Sequence, residues 1–211
     1  MRIGKEETTP DPDAYRAVLS EATAETRVQG SRFLAFVFPS AAEKEAAGRV
    51  ESLRRSHHDA THVCFAWRIG HGAGQKRRAS DAGEPSGTAG APILAALDRA
   101  GVSDALVAVV RWFGGTKLGT GGLARAYGEC ARLAIEWARI GERVLRERVR
   151  VLFPYAHAGR VLRIAEKHRA LVEDSVYAEE VSIRFAVPAS RLAAFQEEIV
   201  EATGGDAAFD P

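Results

Sequence analysis

Residues 104–128 read DALVAVVRWFGGTKLGTGGLARAYG. The run Asp104–Phe113 is apolar and β-branched and predicts a strand. From residue 123, LARAYGECARLAIEWAR has helical spacing and predicts a helix of about 15 residues, Leu123 to Trp137. Residues 112–128 hold six glycines, with Lys117 and Arg125 among them. Glycine in a loop costs conformational entropy on folding, so this junction implies a backbone that approaches something closely. That something is either a ligand or another segment of the chain.

Upstream, ETRVQGSRFLAFVFP predicts a hairpin: Glu25–Val28, a turn at Gln29-Gly30, then Ser31–Phe38. The second run is apolar on both faces, which suits a central strand. Pro39-Ser40 ends it, and Ser40 is placed to cap a helix over AAEKEAAGRVESLRRSHH, residues 41–58. ATHVCFAWRIG (60–70) predicts the next strand. HGAGQKRRASDAGEPSGTAG (71–90) reads as a long charged loop, and APILAALDRAG (91–101) as a helix closed by Gly101. Residues 1–13, with Pro10 and Pro12 among charges, read as a disordered lead-in.

After Gly141 the pattern changes. RERVRVLFPY alternates, AHAGRVLRIAEKHR has helical spacing, and ALVEDSVYA and EEVSIRFAVP alternate again. ASRLAAFQEEIVEATG predicts a helix and DAAFD a last short strand. The order β-α-β-β-α-β is that of a ferredoxin-like split βαβ unit. The chain therefore reads as α+β in two domains, 14–140 and 141–211, joined near Arg139–Arg143.

Composition bounds the function. The 211 residues are 46% hydrophobic and 27% charged, ordinary for a globular protein. A net charge of +1 excludes a global basic field. Cys64 and Cys130 have no CxxC spacing and read as buried reduced thiols. The N-terminus lacks the apolar region of a signal peptide, and no apolar run approaches membrane-spanning length. A cytoplasmic protein without membrane contact is expected.

A strand, a glycine loop and a helix start bring several backbone N–H groups toward one point, an arrangement that suits a phosphate. The loop matches neither the Walker GxxxxGK[ST] nor the Rossmann GxGxxG pattern. Arg111, Lys117 and Arg125 supply charge nearby, and Lys76, Arg77 and Arg78 form the best basic patch. Residues 70–127 carry seven Lys and Arg against four Asp and Glu, a local excess that an RNA backbone could use. The bland alternatives are tight strand–helix packing for the glycines and a solvated loop for the charges. In SDAGEPSGTAG, Ser86 and Thr88 are candidate helix caps. Asp81 and Glu84 could hold Mg²⁺ or act as acid and base, or could pair with Lys117 and Arg125 to lock two loops together. His57, His58 and His62 have no carboxylate or cysteine at metal spacing, so no metal site is expected. Trp112, Phe113 and Tyr127 would stack on bases if exposed and otherwise belong to the core.

SRF (31–33), ATHVCFAWRIG (60–70), SDAGEPSGTAGAPIL (80–94) and VVRWFGGTKLGTGGLARAYG (109–128) resemble the signature blocks of the YigZ/IMPACT family. The resemblance implies an N-terminal βαβ domain like the superfold of ribosomal-protein domains, elongation factor G and small-molecule kinases. It implies a ferredoxin-like second domain as well. Eukaryotic members act in translational control, so an RNA- or ribosome-binding regulator is implied, with RNA, the ribosome or a translation-factor protein as partner. The alternatives are an enzyme acting on a phosphorylated small molecule and a protein-interaction module without nucleic acid. No cofactor is implied, and enzymatic activity is not the favoured reading. Carried over by position, the signature residues are Asp81, Glu84, Pro85, Ser86, Gly87, Thr88, Ala89 and Gly90 in one block. In the other they are Arg111, Gly114, Gly115, Lys117, Gly119, Gly121, Gly122, Arg125 and Tyr127. The family block commonly reads DDGEPSGTAG, and Ala82 replaces its second aspartate here, which weakens a paired-carboxylate chemistry.

Overall fold

The computed structural model describes residues 11–210, in two compact units: residues 15–143, and residues 11–14 with 144–210. The larger unit holds all but the first residue of β1 (Ala14–Val18), then β2 (Ala22–Val28), β3 (Ser31–Pro39), α1 (Glu43–Ser56), β4 (His62–Ile69) and β5 (Lys76–Ser80). It continues with α2 (Gly90–Ala100), β6 (Val102–Ser103), β7 (Ala105–Trp112), α3 (Gly119–Trp137) and β8 (Ile140–Val144). Its main sheet is antiparallel in the order β2-β3-β7-β4-β5. β3 and β4 are joined through α1 but separated by β7, so the βαβ unit is split.

The period of two in β7 divides that strand between two cores. Val107 and Val109 face α2 and α3 together with Phe33, Ala35, Cys64, Ile93, Leu97 and Tyr127. Leu106, Ala108 and Val110 face α1 with Phe38, Val50, Leu53, Phe65 and Trp67. Helices on both faces explain why β7 and β3 read as continuous apolar runs rather than alternating ones.

The hairpin turn at Gln29-Gly30 is left-handed at both positions. It leaves room for the exit of β7: a Cβ on Gly114 would lie 1.9 Å from the carbonyl carbon of Gly30. At this glycine the close approach is therefore backbone against backbone.

Several expectations are corrected. Ser40 does not cap α1: the N-cap is Ala42 and makes no side-chain bond, while the backbone N–H of Ser40 donates to Asp104. Glu45 reaches back to accept the Ala41 N–H at 3.1 Å. The expected loop 71–90 contains β5, an edge strand whose exposed Lys-Arg-Arg is a solvated edge pattern and not a loop pattern. α3 starts at Gly119, four residues ahead of its first apolar position. The small sheet β6-β1-β8 carried no sequence signal, because β6 has only two residues and β1 and β8 are short and partly exposed.

The second unit holds β9 (Arg146–Pro154), α4 (Ala158–Lys167), β10 (Leu171–Val176), β11 (Glu180–Pro188), α5 (Leu192–Thr203) and β12 (Ala208–Asp210). Its order β10-β11-β9-β12, antiparallel throughout, is the ferredoxin-like arrangement. Val149, Val151, Phe153, Ile183 and Phe185 pack under Val161, Phe195 and Ile199. The lead-in expected over 1–13 lies outside the described residues up to position 10. Residues 11–13 are ordered: the Asp13 carboxylate accepts the Ser190 N–H at 3.0 Å and its hydroxyl at 2.7 Å. Among the described residues, no helix is long and apolar enough to cross a membrane. The fold is mixed α+β in two domains.

Gly114→Ala should destabilise the larger unit by about 3 kcal/mol through backbone overlap, whereas Gly48→Ala, in open space on α1, should stabilise it by about 0.5–1 kcal/mol. Trp67, Trp112 and Trp137 all lie in that unit, so tryptophan fluorescence during denaturation reads it alone.

Candidate functional site

Where β4 and β7 meet the helices, a buried polar cluster joins the two glycine blocks. Glu84 enters from the loop before α2, Arg111 from the end of β7, Tyr127 from α3, Cys64 and His62 from β4, and Ser31 from the start of β3. Arg111 Nη1 donates to Glu84 Oε1 at 2.6 Å, and the Tyr127 hydroxyl donates to the same oxygen at 2.7 Å. Both ion-pair side chains are nearly inaccessible, 6% for Arg111 and 3% for Glu84. Arg111 Nη2 donates to Ser31 Oγ, which also accepts the Gly114 N–H. The Cys64 thiol donates to the Asp81 carbonyl at 2.9 Å, with the Tyr127 hydroxyl 3.4 Å from its sulfur. His62 Nδ1 lies 2.9 Å from the Ala82 carbonyl.

Electrostatics in this cluster favour structure over reactivity. Burial pushes the Cys64 thiol up to about 12, so it stays protonated and inert at neutral pH. Burial first, then Cys64 and Glu84, raise the Tyr127 hydroxyl far above its ordinary value. The ion pair that locks the two glycine blocks is thus Glu84 with Arg111. Lys117 and Arg125 take no part in it, contrary to one sequence reading. Arg111 and Tyr127 are also withdrawn from contact with a phosphate or base.

Asp81 has a different task. Its Oδ1 accepts the N–H groups of Ala89 and Gly90 at 2.9 and 2.8 Å, and its Oδ2 accepts that of Gly87 at 2.8 Å. It closes the N-terminus of α2 from outside the helix. Ser86 and Thr88, the candidate caps, do not: Ala89 is the N-cap, and the Thr88 hydroxyl donates to the Pro85 carbonyl. Burial disfavours the Asp81 charge, but the three N–H bonds outweigh it and hold the carboxyl below the usual carboxylate range. Gly90 is obligatory, since a Cβ there would lie 2.6 Å from the Ser80 nitrogen. With Asp81 and Glu84 both engaged by protein groups, neither is presented as half of a metal or acid–base pair. Among the described residues, no group of three His, Cys, Asp or Glu is arranged around a cation, the histidines of 57–62 included. His57 instead packs edge-on against Trp112.

The second glycine loop is open. Gly115 and Gly119 have positive φ with nothing near a Cβ, whereas Gly122 sits on Leu118 and Gly121 lies against the Arg125 guanidinium. Leu118, at the N-cap of α3, makes no side-chain bond, and the first turn of α3 contains no acidic residue. Lys117 and Arg125 are exposed and have no carboxylate partner among the described residues. Of the basic patch, Lys76 is bound to Glu43 and Arg77 to Asp98, and Arg78 has no carboxylate partner among the described residues. Phe113 is 48% exposed, and Trp112 donates to Asp59.

The family profile described as the Impact N-terminal domain matches residues 29–135, which contain this whole cluster. This chain belongs to the IMPACT family. A second profile, a domain of unknown function (DUF1949), matches residues 151–206. IMPACT family member YvyE of Bacillus subtilis is 32% identical over 91% of this chain and 88% of its own length. An IMPACT family member of Thermus thermophilus is 39% identical over 76% of this chain and 86% of its own. The crystal structure of a hypothetical protein superposes with a TM-score of 0.70 at 30% identity, covering 93% of this chain and 96% of that one. Ser31 and Cys64 join the cluster without having been singled out as site residues, although both fall in blocks of IMPACT resemblance, SRF and HVCF.

Two outcomes test the structural role of this cluster in an IMPACT domain. Arg111→Met should cost about 3–5 kcal/mol, and Arg111→Met/Glu84→Leu clearly less than the sum of the single losses, because the single variant strands a buried charge. Additive losses in a denaturation cycle would contradict the pairing. Asp81→Ala should cost about 1–2 kcal/mol. Because the folded Asp81 titrates below its unfolded value of about 3.9, that difference should be complete above about pH 4 and fade as the pH falls through the folded value.

Proposed function

We propose that this IMPACT protein acts in translation as an RNA- or ribosome-binding regulatory protein, and that the N-terminal end of α3 is where it takes hold of RNA phosphate. The observation that carries the reading is a contrast within one domain. The start of α2 is closed by Asp81, while that of α3 has no capping side chain and no acidic residue. The open glycines Gly115 and Gly119 flank the start of α3, and Lys117 and Arg125 stand beside it without a carboxylate partner among the described residues. Unsatisfied N–H groups and the positive end of the helix dipole favour an anion, and the two cations add the charge that phosphate recognition draws on. The translational role rests on family membership, and a cytoplasmic location goes with it.

The test is binding of a fluorescein-labelled RNA hairpin across a salt series. The wild-type protein should bind with strong salt dependence. Lys117→Ala should lower the slope of log affinity against log salt by about 1 while leaving the fluorescence unfolding midpoint unchanged, since Lys117 is exposed. Unchanged affinity and slope in a folded Lys117→Ala protein would overturn the assignment of the site.

A further inference from the structure

Most arginines of residues 15–143 are tied to carboxylates. Among the described residues, Arg16, Arg78, Arg99, Arg125 and Arg139 are not. Three of these, Arg16, Arg99 and Arg125, line one feature, the cleft between α2 and α3. The two helices run side by side in the same direction, with Pro92 beside Gly128 near one end and Ala100 near Ile135 at the other. Near the start of α3 the cleft measures about 560 Å³ and is floored by Pro92, Ala124 and Gly128. It continues into a second hollow of about 380 Å³ that shares Arg99 and Arg132 and ends at Arg16.

The side chains in this cleft are arranged as a line of charge. Arg125 and Arg132 lie on one face of α3 seven residues apart, about 10 Å along the axis. Arg132 is held between Glu129 and Glu136, which also line the cleft and outweigh its charge by one, so the positive charge of the cleft comes from Arg16, Arg99 and Arg125. Arg99 and Arg16 are oriented through backbone carbonyls only, Arg99 Nε donating to Ala95 and Arg16 Nη1 to Ala100. A carbonyl positions a guanidinium without cancelling its charge, so each keeps donors for an outside anion. Small side chains on the floor and unneutralised cations spaced along the length fit a chain of repeated negative charges better than a single compact ion.

We propose that the α2–α3 cleft is the track for the phosphodiester backbone of the RNA, leading from the open start of α3 past Arg125 and Arg99 to Arg16. The proposal rests on the RNA-binding reading and extends it to residues that no signature block contains. Its test uses the same labelled hairpin with Arg16→Gln/Arg99→Gln, which leaves Lys117 and the glycine loop intact. Arg139→Gln, which removes an unpaired arginine outside the cleft, serves as the control. The double variant should lose about 2 from the salt slope and bind more weakly at every salt concentration, while the control keeps the wild-type slope. Wild-type slope in a folded double variant, alongside an effect of Lys117→Ala, would overturn the track and leave the RNA reading standing. No binding of the hairpin by the wild-type protein would overturn both.

Discussion

The larger domain depends on one buried ion pair. Glu84 and Arg111 are 27 residues apart in sequence, and their contact brings the loop before α2 against the end of β7. Taking two charges out of water is expensive, and their mutual attraction offsets that cost only when further hydrogen bonds satisfy the remaining groups. Tyr127 and Ser31 supply two such bonds from two more elements, and Arg111 Nε alone of the guanidinium stays buried without a partner among the described residues. These contacts tie the loop before α2, the end of β7, the start of β3 and the Tyr127 turn of α3 to one another. The open helix end and its loop are displayed from that frame.

The fold was legible wherever burial is strong. Val107 and Val109 alternate with Leu106, Ala108 and Val110, and a strand apolar on both faces between two helical patterns leaves little choice but a covered sheet. Gly101 marked the end of α2, and it is left-handed there. Legibility failed at β5 and in the small sheet, where strands at an edge or half in solvent have no reason to alternate. It also failed at helix starts. Ser40, Ser86 and Thr88 are the right residue types for local caps, yet the work at α2 is done by Asp81, eight and nine residues before the N–H groups it accepts. Local propensity does not see a cap that arrives from another loop.

Most residues of the buried cluster stand out in the sequence, Ser31 and Cys64 excepted, but their contacts do not. The glycines read alike in sequence but divide in space: Gly114 and Gly90 admit neighbouring backbone, while Gly115 and Gly119 lie open. The question of whether the backbone approaches a ligand or itself thus has different answers at different positions. Ala82 divides in the same way. Its φ of 46° is costly for alanine and better tolerated by aspartate, so an aspartate at this position answers to backbone conformation without any metal.

Net charge is the wrong scale on which to judge how this chain would meet a polyanion. A total of +1 suggests indifference, yet a charge acts on a partner only where its own neighbours have not already neutralised it. Ion pairing removes Lys76 and Arg77, which made the basic patch conspicuous in sequence, and burial removes Arg111. Among the described residues, Arg78 and Arg139 stay unpaired elsewhere, while Lys117, Arg125, Arg99 and Arg16, scattered over a hundred residues, are brought to α3 and its flank by the fold. Such residual cations are the ones from which a salt-dependent contact with phosphates would arise, because none has first to break an internal ion pair.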